Sequence, residues 1–202
     1  MAGYKQFVLK EMIEQLGEES VKAILSNFSC PQNLDVEKFI KDKAIEFSKQ
    51  NIASTHLVFA EYKEKLEIVG YFTLSPKTVY IKKGNLSNTL KKRVSKFGTY
   101  DENIKGYSIP APLIAQLGKN FTNGLNKLIT GDELLKMACD KIKTIQANMG
   151  GKITYLECED KPKLIEFYKS NGFVNFGKRT LDRDEKDDLS GEYLIQMLKY
   201  LN

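Results

Sequence analysis

A chain of 202 residues with 42% hydrophobic content can bury one sizeable core, and a single domain over 1–202 is expected, with 1–27 as an N-terminal helical extension. Its 31 basic and 26 acidic residues give a formal charge of +5, a balance that suits an anionic cofactor or nucleic acid. One histidine and three widely spaced cysteines, Cys30, Cys139 and Cys158, argue against a zinc site and a Ser/His/Asp relay, and no run is long and apolar enough to span a membrane.

The opening Met1-Ala2-Gly3-Tyr4-Lys5 lacks an apolar signal segment, so a reduced, cytoplasmic protein is expected. Tyr4 to Asn27 reads as two short helices broken near Gly17, with Val21, Ile24, Leu25 and Phe28 as the apolar stripe of the second. Phe28 to Pro31 is a turn. Asp35 is placed to cap a third helix, in which Phe39, Ile40, Ile45 and Phe47 are apolar. Leu57 to Tyr62 and Leu66 to Leu74 form a hairpin around Lys63-Glu64-Lys65, with His56 as a strand-edge residue. Ser75-Pro76 interrupts, and Val79 to Ile81 begins another extended piece.

From Lys82 to Tyr107 the composition turns basic, with Lys91, Lys92 and Arg93 in an amphipathic helix marked by Leu86, Leu90 and Val94. That basic face is either solvated surface or a nucleic-acid contact. Pro110-Ala111-Pro112 leads into Leu113 to Gly118, an apolar run suited to a central strand that begins after Pro112. Thr130-Gly131-Asp132-Glu133 has the form of a capping box, in which the Thr hydroxyl takes a first-turn N–H and the Glu side chain reaches back. Leu134, Ala138, Ile142 and Ile145 give the following helix one buried face, and Asn148 to Gly151 ends it.

Ile153 to Cys158 alternates as a strand, and Pro162 starts a short helix that stops at Asn171-Gly172. Phe173 to Lys178 is a strand, Asp182 to Asp188 a charged loop, and Tyr193 to Leu198 a closing strand. The order of elements implies an α/β or α+β sheet of mixed direction.

The heptamer Phe167-Tyr168-Lys169-Ser170-Asn171-Gly172-Phe173 resembles the F-Y-x-x-x-G-F signature of the Gcn5-related N-acetyltransferases (GNATs). Phe28-Ser29-Cys30, Leu34-Asp35, Ala44, Gly70-Tyr71-Phe72-Thr73-Leu74 and Ile109 to Leu117 resemble one branch of them, the aminoacyl-tRNA-acetylating toxins of toxin–antitoxin modules. These pieces keep the branch's order over residues 28 to 178. The resemblance implies a GNAT-like mixed, mostly antiparallel central sheet with a splayed strand pair, flanked by helices. It implies acetyl-CoA as cofactor and a primary amine as acceptor, with the amino group of charged tRNA as one candidate. An antitoxin and a second copy of the chain are expected as partners.

Asn126-Lys127-Leu128-Ile129-Thr130-Gly131 stands where the family shows Q/R-x-x-G-x-G/A, with Asn first and Ile129 in place of the middle Gly. By that match Asn126, Lys127, Leu128, Ile129, Thr130, Gly131 and Asp132 are expected at the acetyl-CoA diphosphate. Leu117, Gly118 and Lys119 are expected on the splayed strand beside the thioester. Tyr168 matches the family's Tyr that faces the departing thiolate, and it is expected to be left free by a core Phe167. Lys91, Lys92 and Arg93 are the expected tRNA contacts. Glu157 is either a base or structural, and Cys158 a small core residue. The departures in the loop, with Asp132 and Glu133 in the helix's first turn, leave a second reading: a degenerate GNAT-fold binding or regulatory protein with weak or no acetyl-CoA binding.

Overall fold

The computed structural model describes residues 3–183, 189 and 191–201. Strand β1 (Lys5–Val8) is followed by helices α1 (Leu9–Leu16) and α2 (Glu18–Ser26). The N-terminal segment therefore opens on a strand, against the expectation of helix throughout. β1 lies antiparallel to β2 (Ser54–Tyr62), where its residues find backbone partners, from Lys5 opposite Phe59 to Val8 opposite His56. Gly17, at φ 81°, breaks the helices where the sequence marked it.

Next come α3 (Leu34–Lys38), a π turn (Phe39–Lys43) and α4 (Ala44–Lys49). The N-cap of α3 is Asn33, not Asp35, because the Asn33 side chain accepts from the Val36 N–H at 3.2 Å. Strand β3 (Lys65–Lys82) returns from β2 through Lys63-Glu64, both at positive φ, which is the turn geometry a two-residue hairpin needs. β3 runs through Ser75-Pro76 without the expected break, and Pro76 lies exposed in it. Helix α5 (Asn88–Val94) is capped by Ser87, whose hydroxyl accepts from the Leu90 N–H.

Strand β4 (Thr99–Asp101) pairs with β5 (Gly106–Lys119). β5 begins before both prolines rather than after Pro112. Pro110 and Pro112 fall between the β4 ladder at Gly106–Ser108 and the β6 ladder at Leu113, and the Pro112 carbonyl still accepts from the Thr154 hydroxyl at 2.9 Å. Helix α6 (Gly131–Met149), strand β6 (Ile153–Glu159), helix α7 (Pro162–Ser170) and strands β7 (Val174–Thr180) and β8 (Tyr193–Tyr200) complete the chain. The charged loop read over 182–188 lies, beyond Arg183, outside the described residues.

The sheet order is β1-β2-β3-β5-β6-β8-β7, with β4 on β5. β5 and β6 are parallel neighbours, with Leu113 opposite Tyr155 and Ile114 opposite Leu156, as the strand–helix–strand connection through α6 requires. The other described ladders are antiparallel. No described helix is long and apolar enough to cross a membrane.

Two compact units can be separated, Met1–Ser75 with Ala115–Ala138, and Pro76–Ile114 with Cys139–Asn202. Each has its own core. In the first, Leu9, Val21, Leu25, Phe28, Ile40, Leu57 and Tyr71 are enclosed, so residues 1–27 supply core side chains. The Tyr71 hydroxyl donates to the Val36 carbonyl at 2.6 Å, and its ring meets Phe28 edge-on. His56 is buried inside β2 and stacks on Phe72 at 4.8 Å, which is a core position rather than a strand edge. In the second unit Val79, Ile81, Leu86, Val94, Ile109, Tyr155, Phe176 and Leu198 pack together.

Candidate functional site

The connection from β5 to α6 is built by its own polar groups. At the end of β5, Gly118 packs so closely on Val36 that a Cβ there would collide with the Val36 side chain. A Cβ on Gly70 would come within 2.9 Å of the Gly118 carbonyl. Glycine at 118 thus makes room for α3, and glycine at 70 lets β3 approach β5 without a side chain between them. Leu117 is half-buried beside it. Next, the buried Asn120 side chain accepts from the Ser29 and Thr122 N–H groups and donates to the Ile68 carbonyl, tying the loop's start to two other segments. Asn123 and Gly124, both at left-handed φ, turn the chain toward the helix.

Lys119, expected on the strand beside the thioester, is the last residue of β5. Its Nζ donates to two loop carbonyls, Asn126 at 3.0 Å and Ile129 at 3.3 Å. The Ile129 side chain is 2% exposed, so the residue in place of the family's glycine anchors the loop to the core. Tyr4 reaches across 124 residues of sequence and donates to the Leu128 carbonyl at 2.8 Å. Lys127 and Asp132 are exposed.

The capping box forms as read. The Thr130 N–H and hydroxyl both donate to Glu133 Oε2 at 2.8 Å, and the Glu133 N–H donates to Thr130 Oγ at 3.1 Å. Hydrogen bonds from Thr130, backbone first and then side chain, hold the Glu133 carboxyl below its usual range, with a smaller contribution from Tyr4. A full negative charge thus sits on two donors at the head of a 19-residue helix. Leu134, Ala138 and Ile142 are buried as expected, whereas Ile145 is 37% exposed and lies off the buried face.

The second group lies on α7. Tyr168 is 8% exposed while Phe167 is half-buried, the reverse of the expected division between the two. The cause is the helix's C-terminal turn, where the Phe173 N–H donates to the Tyr168 carbonyl and brings Phe173 edge-on to the Tyr168 ring at 5.9 Å. Among the described residues no group hydrogen-bonds the Tyr168 hydroxyl, and Ser48 Oγ is the only fully enclosed side-chain N or O left without a partner. The ring is packed between Phe167 and Phe173. Burial first, and the Cys158 thiol second, push that phenol well above its ordinary range, so it holds its proton.

Cys158 is buried, and its thiol is pushed up to about 12 by burial and then by the charges of Asp160 and Glu159, so it is a packed thiol and no nucleophile. Both Glu157 oxygens are engaged, by Arg179 Nε at 2.8 Å and Gln196 Nε2 at 2.8 Å. That takes up the carboxylate a base would need and fits the structural alternative for Glu157. On α5, Lys92 and Arg93 are exposed and Lys91 half-exposed, with the Arg93 guanidinium 4.9 Å from the Tyr200 ring centre. Among the described residues no cluster of His, Cys, Asp or Glu could hold a metal.

No protein-family model matches the chain, and no curated protein matches its sequence. Solved structures do. A tyrosine-to-phenylalanine mutant of the toxin KacT superposes with a TM-score of 0.62 at 14% identity, covering 95% of this chain and 93% of its own. AtaT complexed with acetyl-methionyl-tRNAfMet gives 0.60 at 15% identity, covering 96% and 94%. The chain has the GNAT fold of these toxins. A further AtaT mutant, bound to the C-terminus of the antitoxin AtaR and to acetyl-CoA, gives 0.59 at 14% identity, covering 98% and 92%. Sequence reasoning missed Tyr4 and the state of Lys119. The capping box signalled Glu133, but no local pattern announces a hydrogen bond across 124 residues.

Proposed function

We propose that the protein is an acetyl-CoA-dependent N-acetyltransferase whose acceptor is a primary amine, in the first instance the amino group of aminoacyl-tRNA. The observation that carries it is the donor pair at Thr130, which already holds an oxyanion, the Glu133 carboxylate, at a helix N-terminus in a GNAT fold. A donor set that grips a carboxylate suits a phosphate oxygen equally. Asn126 to Asp132 would hold the diphosphate, with Lys127 exposed beside it, and Leu117 to Lys119 the strand along the thioester arm. Lys119 is assigned to shaping the loop.

Bound acetyl-CoA would supply an activated acetyl thioester. The rest falls to the chain. Tyr168 keeps its proton at neutral pH on a fixed ring, with a hydroxyl that has no partner among the described residues, and so can donate to a leaving sulfur. A backbone N–H of Leu117 to Lys119 would take the developing oxyanion. The acceptor ammonium must lose a proton to attack, and with Glu157 engaged by Arg179 and Gln196 a water chain is assigned that step. Lys91, Lys92 and Arg93 would meet tRNA phosphates. An antitoxin partner is proposed by analogy with AtaT, which has been solved with AtaR.

A specific observation favours the second reading as well. The capping box occupies the very donors a diphosphate needs, so a protein that only keeps the fold would look the same at Thr130. Calorimetry with acetyl-CoA separates the two, followed by transfer of labelled acetyl to charged tRNA. Binding and acetylated aminoacyl-tRNA are the expected result; no binding at millimolar acetyl-CoA leaves the regulatory reading.

A further inference from the structure

The peptide unit joining Ile129 and Thr130 is gripped at both ends by opposite charges. Its carbonyl accepts from the Lys119 ammonium at 3.3 Å, and its N–H donates to the Glu133 carboxylate at 2.8 Å. The C=O and N–H of one trans peptide point in opposite directions, so the lysine behind the loop turns this N–H toward the glutamate side. The Thr130 hydroxyl converges on the same carboxylate oxygen, and Tyr4 stands close enough to lower the carboxyl further. Asn126 O, the second carbonyl held by Lys119, stiffens the approach to this peptide.

An ordinary capping box needs none of the surrounding apparatus. Here the glutamate's donors are oriented from behind by a lysine that spends its hydrogen bonds on the loop. The Glu133 side chain itself is exposed, so it is free to swing into water while the donors stay in place.

We propose that Glu133 is a built-in competitor for the acetyl-CoA diphosphate: its carboxylate occupies the Thr130 donors in the empty protein and must leave them when the cofactor binds. This rests on the acetyl-CoA reading above. Lys119 is a positioning residue in this scheme, keeping the Thr130 N–H aimed at whichever anion is present. The displaced carboxylate remains near the diphosphate and repels it, so Glu133 lowers affinity both by occupying the donors and by its charge.

The test is calorimetry on wild type, Glu133→Gln and Glu133→Ala, with acetyl-CoA and with S-acetylpantetheine, which lacks the diphosphate. Gln serves as well as Glu in a capping box, so Glu133→Gln removes the charge and retains the helix cap. Both variants are expected to bind acetyl-CoA about tenfold more tightly than wild type, with S-acetylpantetheine unchanged. Thermal melting accompanies each titration and is expected to show Glu133→Gln folded as wild type. Equal acetyl-CoA affinity in all three proteins would overturn the competition and leave the acetyl-CoA reading standing. The same tightening for S-acetylpantetheine would overturn it too, since the effect would not belong to the diphosphate. Absence of acetyl-CoA binding in all three would remove the cofactor reading itself.

Discussion

At the scale of single residues, Tyr168 and Ile129 separate chemistry from packing. Tyr168 combines a ring locked by Phe173 with a hydroxyl that has no partner among the described residues, so Tyr168→Phe keeps the packing and loses only the proton donor. Turnover is expected to fall by about 10²–10⁴-fold, the usual worth of general-acid help, while the melting temperature and acetyl-CoA affinity stay within error. Steady-state kinetics on charged tRNA, paired with thermal melting, check this; wild-type turnover from a stable variant would remove Tyr168 from the mechanism. Ile129 behaves in the opposite way. A glycine there would restore the family pattern but empty a core position that is 2% exposed. Ile129→Gly is therefore expected to cost about 2–5 kcal/mol, and chemical denaturation reads it directly.

At the scale of elements, the turn before α3 shows how a carboxylate fixes a loop. Glu37 accepts from the Cys30 N–H at 2.7 Å, the Ser29 hydroxyl at 3.3 Å and Lys41 Nζ at 2.7 Å. The Lys41 hydrogen bond first, then the Cys30 N–H, hold its carboxyl below the usual range against some desolvation. A depressed folded pKa contributes stability above the ordinary carboxylate range, and that stability is lost as pH falls through the depressed value. Glu37→Gln is expected to lose ~1.5 kcal/mol at neutral pH and to converge with wild type in acid, which urea unfolding across pH 2–7 would reveal.

The same elements show what was legible in the sequence. The capping box at Thr130–Glu133, the breaks at Gly17 and Gly172 and the first three buried positions of α6, Leu134, Ala138 and Ile142, are local signals, and they stand where they were read. The errors came where tertiary partners override local chemistry. β1 is a strand because β2 pairs with it, β3 continues through Pro76, and β5 begins at Gly106 because β4 pairs there. The exchange of Phe167 and Tyr168 follows from Phe173, which a helical wheel of α7 omits. At the candidate site the loop and tyrosine are named by resemblance alone, whereas the hydrogen bonds of Lys119 and Tyr4 depend on folded geometry.

At the scale of the whole molecule the question is where a net charge of +5 would be felt by a polyanion. Charge alone gives weak, sequence-independent attraction. A specific tRNA contact requires lysines whose ammonium groups are not already used. Among the basic residues of α5, Arg93 is drawn over the Tyr200 ring, and replacing it would disturb packing as well as charge. Lys91 and Lys92 sit on the solvent side of a helix anchored by Val94, so they test the surface more cleanly. Each phosphate contact releases counterions and steepens the dependence of log K on log salt by about 0.7 on a single strand to about 0.9 on duplex B-DNA. The double variant Lys91→Gln, Lys92→Gln is therefore expected to flatten the salt slope of tRNA binding by about 1.5–2 units and to weaken binding most at low salt. Acetyl-CoA affinity and melting temperature should not move, because neither lysine touches the 119–133 loop in the described hydrogen bonds. Filter binding of charged tRNA between 50 and 300 mM salt, roughly the range over which such slopes are read, decides the matter. A slope identical to wild type would place the tRNA on another face and leave α5 as solvated surface.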